Sequence, residues 1–307
     1  MYEAYRSQVD LLLKVLPYVA KEKSFALKGG TAINLFVRNM PRLSVDIDLA
    51  YLPFDSRPLA LSKIEASLQR IKKDIEDSKQ GIRVKPISKI DQSEVTFSCE
   101  KEGVIIKIEV NTVILGCLLE PKILSVAEKV QDEFGLFAEI IVISKGELFG
   151  GKICAALDRQ HPRDLFDVHY LLENEGITNE IKSGLIACIL SHRRPIHELL
   201  NPNLQDQRMT FEQKFLGMAF EKFDYEDFLT TRKRLLEEVK KSLSDQDKRF
   251  LLSFNKGEPE WSLFEIEIIK KMPGVMWKLQ NINILANKNK TKHIIMIKAL
   301  EEELEII

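Results

Sequence analysis

Two acids two residues apart, Asp46 and Asp48, stand between Val45, Ile47 and Leu49. On a β-strand that spacing puts both carboxylates on one face and the aliphatic residues on the other. Neighbouring carboxylates repel, and a hard divalent cation is a common reason for holding them together. Upstream lies Leu27-Lys28-Gly29-Gly30-Thr31, preceded by the short apolar run Ser24-Phe25-Ala26-Leu27 and followed by Ala32-Ile33-Asn34-Leu35-Phe36-Val37. A strand, a glycine turn with a hydroxyl residue and a helix N-terminus together make an anion site. The first backbone N–H groups lack partners there, and the helix dipole favours negative charge. A phosphate cradle beside a magnesium-type carboxylate pair points to nucleotide chemistry. Ser44 and Thr31 are further donors for phosphate oxygens, although Thr31 serves equally well as an N-cap.

A third acid, Glu109, sits in Lys107-Ile108-Glu109-Val110-Asn111. On a neighbouring strand it would complete the carboxylate set of a two-metal phosphoryl-transfer site. The plainer alternatives are a half-solvated strand for 107–111 and the solvent face of an edge strand for Asp46 and Asp48. Further on, Lys145, Lys152 and Arg159 recur every seven residues, near one stripe of a helix. A cationic stripe suits the triphosphate and the leaving pyrophosphate. Lys152 has small neighbours, Gly150, Gly151, Ala155 and Ala156, which would let its helix pack closely while the lysine reaches inward. The alternative is a surface lysine whose stem covers apolar side chains. Asp164 and Asp167 share a helix face, and Arg159 and Arg163 are available to pair with them.

Around these residues the elements follow from periodicity. Val9, Leu12, Leu13 and Leu16 predict a helix that Pro17 ends or kinks. The acid strand spans about 44–51, and Leu59, Leu61, Ile64, Leu68, Ile71 and Ile75 predict a long helix that Gly81 ends. Strands are predicted over 82–87, 94–99 and 104–113, the last two joined by a hairpin at Glu102-Gly103, with Pro86 placing the first at an edge. Residues 122–136 are ambiguous, and 138–143 reads as a strand. Ser144 and Glu147 resemble a capping box that opens a helix, which His161-Pro162 stops before another helix over 163–172. Beyond it, 178–191, 207–221, 225–244, 261–271 and 293–305 all read as helices. The expected fold is therefore a mixed α/β sheet domain over 1–175 followed by an all-helical bundle over 176–307.

Composition narrows the partners. A net charge of −1 over 307 residues announces no global nucleic-acid binder. Two basic clusters, His192-Arg193-Arg194 and Arg232-Lys233-Arg234, would track a phosphate backbone or simply be solvated helix faces. The lysine-rich stretch 287–292 reads as a solvated loop. Cys99, Cys117, Cys154 and Cys188 show no paired spacing, as expected of reduced, buried thiols. No signal peptide or membrane span is evident, so a soluble cytoplasmic protein is expected. The five histidines form no HExxH pair, and the glycine turn has neither P-loop nor dinucleotide-fold spacing.

Gly29-Gly30-Thr31, Asp46-Ile47-Asp48 and Ile108-Glu109-Val110, in that order, resemble the nucleotidyltransferase superfamily pattern. More narrowly, Lys28-Gly29-Gly30-Thr31-Ala32, Arg42-x-Ser44-x-Asp46-Ile47-Asp48-Leu49 and Lys152…Arg159…Pro162-Arg163-Asp164-Leu165-Phe166-Asp167 resemble the AbiEii/AbiGii-type toxins, relatives of the MenT toxins. The motifs cover roughly 24–172. The resemblance implies a nucleotidyltransferase of a toxin–antitoxin or phage-defence system. In it Asp46, Asp48 and Glu109 would hold Mg²⁺ or Mn²⁺, and Lys28, Gly29, Gly30, Thr31 and Ser44 would bind an NTP. It also implies that Lys152 contacts the nucleotide and that the Asp164/Asp167 helix supplies an active-site acid. Asp167 is preferred, since Asp164 also complements its helix dipole. The implied acceptor is a tRNA or another RNA, and a cognate antitoxin is the implied partner. The alternative is an inactive nucleotide- or RNA-binding regulator with the same fold, and a third is a helical interaction protein.

Overall fold

The computed structural model describes residues 2–86 and 94–306. The chain forms two compact units, Met1–Ser144 with Gln213–Phe223, and Lys145–Glu212 with Asp224–Ile307.

The first unit opens with helix α1 (Tyr2–Val19), which buries Val9, Leu12, Leu13 and Leu16. Pro17 does not end it at once; it lies in the last turn, and the helix runs two residues further to Val19. Strand β1 (Phe25–Lys28) runs into a single turn, α2 (Gly29–Thr31), which continues as a π-helical stretch over Ala32–Val37. Next come β2 (Asp46–Tyr51), α3 (Arg57–Asp77), β3 (Arg83–Pro86), β4 (Glu94–Lys101) and β5 (Val104–Leu115). The ambiguous 122–136 stretch divides into β6 (Lys122–Ser125) and α4 (Glu128–Phe134), and β7 (Glu139–Val142) closes the series.

The sheet order is β3-β4-β5-β2-β1-β7-β6, with β2 parallel to β5, β1 parallel to β7 and the other neighbours antiparallel. The acid strand β2 is therefore internal, which removes the edge-strand reading of Asp46 and Asp48. The proline-bearing β3 is at the edge, as Pro86 requires; Ile87, placed in that strand by the sequence, lies outside the described residues. The β4–β5 hairpin turns at Glu102 and Gly103, both with positive φ.

The second unit is helical: α5 (Lys145–Arg159), α6 (Pro162–Asn174), α7 (Asn179–Ser191), α8 (Ile196–Leu200), α9 (Arg208–Lys214, as far as Glu212), α10 (Tyr225–Ser242), α11 (Asp245–Lys256), α12 (Pro273–Lys288) and α13 (Lys290–Glu303). Three expectations change here. The helix predicted over 207–221 stops at Lys214, and the chain then turns at Gly217 (φ +83°). The Leu43 N–H donates to the Met218 carbonyl, and the Phe220 N–H to that of Pro41, in the approach to β2. The predicted 261–271 helix is two short 3₁₀ turns, Trp261–Leu263 and Glu267–Lys271. The lysine-rich 287–292 stretch is not a loop: α12 and α13 meet there across Asn289, whose side chain accepts from the Lys292 N–H.

Candidate active site

Register decides which side chains stand together in the sheet. Lys28 of β1 is opposite Asp48 of β2, and Asp48 is opposite Glu109 of β5. These three share one face in a row, at the ~4.8 Å spacing of adjacent strands. Asp46, two residues back on the same face, is opposite Lys107. All three acids are half-buried. Like charges side by side on a sheet are unfavourable, so the Asp48–Glu109 pair is held against its own repulsion, flanked by Lys28.

The glycine turn sits directly against this row. Gly29 has φ +71°, and a Cβ there would lie 2.2 Å from Asp48 Oδ2. At Gly30 a Cβ would lie 2.8 Å from Arg42 Nη2 and 2.9 Å from Ser44 Oγ. Glycine is thus required twice, once for its conformation and once for close approach. Thr31 has another task. It is fully buried, its hydroxyl donates to the Asp46 carbonyl, and its Oγ1 lies 3.1 Å from Ser44 Oγ. Its side chain makes no capping bond at the start of the π-helical stretch, and its hydroxyl proton goes to the Asp46 carbonyl. Instead it ties the turn to the acid strand. Arg42, to which spacing alone assigns no role, is buried beneath the turn with Nη1 donating to the Leu43 carbonyl.

The donor set suits a hard cation. Among the described residues no three acids, histidines or cysteines converge as a ready-made metal cage. Mg²⁺ does not need one: it keeps waters and takes one or two carboxylates together with substrate phosphates. Asp46 and Asp48 offer that complement.

In the second unit the predicted cationic stripe is divided. Lys145 and Arg159 are exposed, whereas Lys152 is 7 % exposed, which rules out the surface-lysine reading. Lys152 Nζ lies 2.7 Å from Asp164 Oδ1 and 3.0 Å from Asp167 Oδ2. Arg159 adds a two-pronged contact to Asp164, Nε at 2.6 Å and Nη2 at 3.1 Å. Both aspartates therefore point inward. Burial alone would raise the Asp164 carboxyl, but Lys152 and Arg159 outweigh it and hold the group below the usual carboxylate range. The helix start that positions Asp164 is sharp. Pro162 occupies the first turn, and the half-buried His161 accepts from the Arg163 N–H as N-cap. The backbone of α5 approaches α7 through Gly150, where a Cβ would lie 2.3 Å from the Leu185 nitrogen; Gly151 meets nothing.

Residues 10–281 match the family model described as "Nucleotidyl transferase AbiEii toxin, Type IV TA system". The chain belongs to the AbiEii toxin family. It is accordingly a nucleotidyltransferase, and a toxin–antitoxin system implies a cognate antitoxin. Among solved structures, the AbiEii-family chain is similar in fold to MenT4, a nucleotidyltransferase toxin from Mycobacterium tuberculosis. The TM-score is 0.62 at 12% identity, over 92% of this chain and 94% of that one. No curated protein matches it in sequence.

The AbiEii chain's basic clusters are largely engaged internally. His192 and Arg194 face Asp158 at 3.5 and 3.3 Å, while Arg232 donates to Gln160 and Gln205, and Arg234 pairs with Glu173. Among the described residues, no helix is long and apolar enough to cross a membrane.

Proposed function

We propose that this AbiEii-family enzyme transfers a nucleoside monophosphate from an NTP to an RNA hydroxyl, with a tRNA 3′ end as acceptor, in a divalent-metal-dependent reaction in the cytoplasm. The observation that carries this reading is the seating of Gly29 against Asp48, within a row that also holds Lys28 and Glu109. That arrangement supports the reading, since a backbone turn able to cradle phosphate beside paired carboxylates is what phosphoryl transfer asks of a protein.

Asp46 and Asp48, with Glu109, are the residues that would hold Mg²⁺ or Mn²⁺, and the ion would supply charge neutralisation on the phosphates. The Gly29-Gly30 turn presents backbone N–H groups to the triphosphate, and Lys28 and Ser44 add a cation and a hydroxyl beside it. Glu109 accepts the proton of the attacking hydroxyl. That oxygen bonds to the α-phosphorus as the α–β bridging bond breaks, and pyrophosphate leaves. Lys152 is assigned to the nucleotide, with Asp164 and Asp167 orienting its ammonium. The functional nucleotidyltransferase domain runs over 1–175, and the helical 176–307 segment selects the acceptor.

Incubating the protein with each α-labelled NTP, Mg²⁺ or Mn²⁺ and total RNA tests this. The expected product is labelled RNA of tRNA size, lost on chelation. Label on the protein itself, or on no macromolecule, would refute an RNA acceptor.

A further inference from the structure

Helices α5 and α7 meet through positions four residues apart. A Cβ at Gly146 would lie 2.5 Å from the Glu180 carbonyl oxygen, and one at Gly184 would lie 2.1 Å from that of Gly146. At Gly150 it would lie 2.4 Å from the Gly184 carbonyl carbon. The two backbones meet at these glycines, a close approach that the missing Cβ permits. One turn beyond Gly150 is Cys154, and one turn beyond Gly184 is Cys188. One turn further, Asp158 Oδ2 and His192 Nε2 are 3.5 Å apart. The cysteines are thus bracketed by contacts on both sides, and the neighbouring Cys188 side chain, with burial, pushes the Cys154 thiol well up. Cys154 is buried and Cys188 half-buried, both reduced. The buried ammonium of Lys278 donates at 2.8 Å to the carbonyls of Ile189, the residue after Cys188, and of Arg194. Nucleotidyl transfer uses neither thiol.

We propose that Cys154 and Cys188 form a reversible disulfide, made by a peroxide oxidant, that staples α5 to α7. Cys188, the more accessible thiol, attacks the peroxide as its thiolate. Its S–O bond forms as the O–O bond breaks, giving a sulfenic acid and one water. The Cys154 sulfur then attacks that sulfur: the S–S bond forms, the S–O bond breaks, and the departing hydroxide leaves as water with the Cys154 proton. Two thiols and one peroxide become one disulfide and two waters. The glycine contact one turn before the cysteines and the Asp158–His192 contact one turn after them support the close approach a disulfide requires, a Cα separation under about 7 Å. The staple lies two residues past Lys152 on α5 and fixes the helix that carries it.

The test is to treat the full chain with hydrogen peroxide, then map unreduced peptides and record thermal unfolding. The expected result is a loss of two hydrogen atoms per chain, a peptide linking 154 to 188, and a Tm increase that dithiothreitol reverses. Cys188→Ser and Cys154→Ala each abolish the linked peptide and the Tm increase, while Cys99→Ser and Cys117→Ser leave both. Thiols at 154 and 188 that still alkylate separately after oxidation would overturn the proposal, as would Cys188 halted at sulfinic acid.

Discussion

Replacing Gly29 with alanine sets a methyl carbon 2.2 Å from Asp48 Oδ2, on a backbone with φ +71°. The left-handed conformation costs about 1–2 kcal/mol for a residue with a Cβ, and the carboxylate has to move aside. Gly29→Ala is therefore expected to lose transfer activity far more than stability, measured as specific activity against Tm. In the second unit stability is at stake as well. Lys152 lies between two buried carboxylates, and removing one member of such a group costs about 3–5 kcal/mol. Lys152→Met should lower the urea midpoint accordingly, and adding Asp167→Asn should recover part of the loss. Full additivity of the two changes would contradict a shared ion network.

Glycines mark the corresponding limits among the helices. Gly184→Ala pushes a Cβ to 2.1 Å from a backbone carbonyl oxygen of α5, whereas Gly151→Ala, on α5 itself, meets nothing within 4 Å. The first should destabilise by about 1–3 kcal/mol and the second should stabilise by up to ~1 kcal/mol, as read by chemical denaturation. The start of α6 carries a pH dependence. Burial, with the Arg163 charge beside it, lowers the His161 imidazole from 6.5 to about 4. Between those values the unfolded chain binds the extra proton, so stability falls as pH drops through that window. The depressed Asp164 carboxyl adds a loss of the same sign at lower pH. His161→Asn, which keeps a capping acceptor, should flatten the first part of the profile. Much of this architecture was legible in period and punctuation: the acid strand, the Glu102-Gly103 hairpin and the break at His161-Pro162 are local signals. What was not legible depended on distant partners. The strand order that sets Asp48 beside Glu109, the pairing of 215–223 with the approach to β2, and the burial of Arg42 have no local signature, whereas the small residues around Lys152 left its burial as one of two readings. The start of α11 was readable, since Ser244 and Asp247 form a capping box, but an aspartate in the glutamate position makes the motif easy to pass over.

At the scale of the whole molecule, family membership makes the chain a nucleotidyltransferase toxin, while the acceptor and the metal are the proposed parts. Induced expression of the wild-type chain is expected to arrest bacterial growth, and Asp48→Ala to permit it at equal protein level. Asp48 is also the most direct handle on the chemistry, because it lies against the glycine turn and opposite Glu109. The decisive measurement compares wild type with Asp48→Ala, matched in circular dichroism and Tm, for label transfer from α-labelled NTP to RNA in Mg²⁺. Labelled RNA from the wild type alone is predicted; equal labelling by both proteins would contradict the assignment of Asp48 to the reaction.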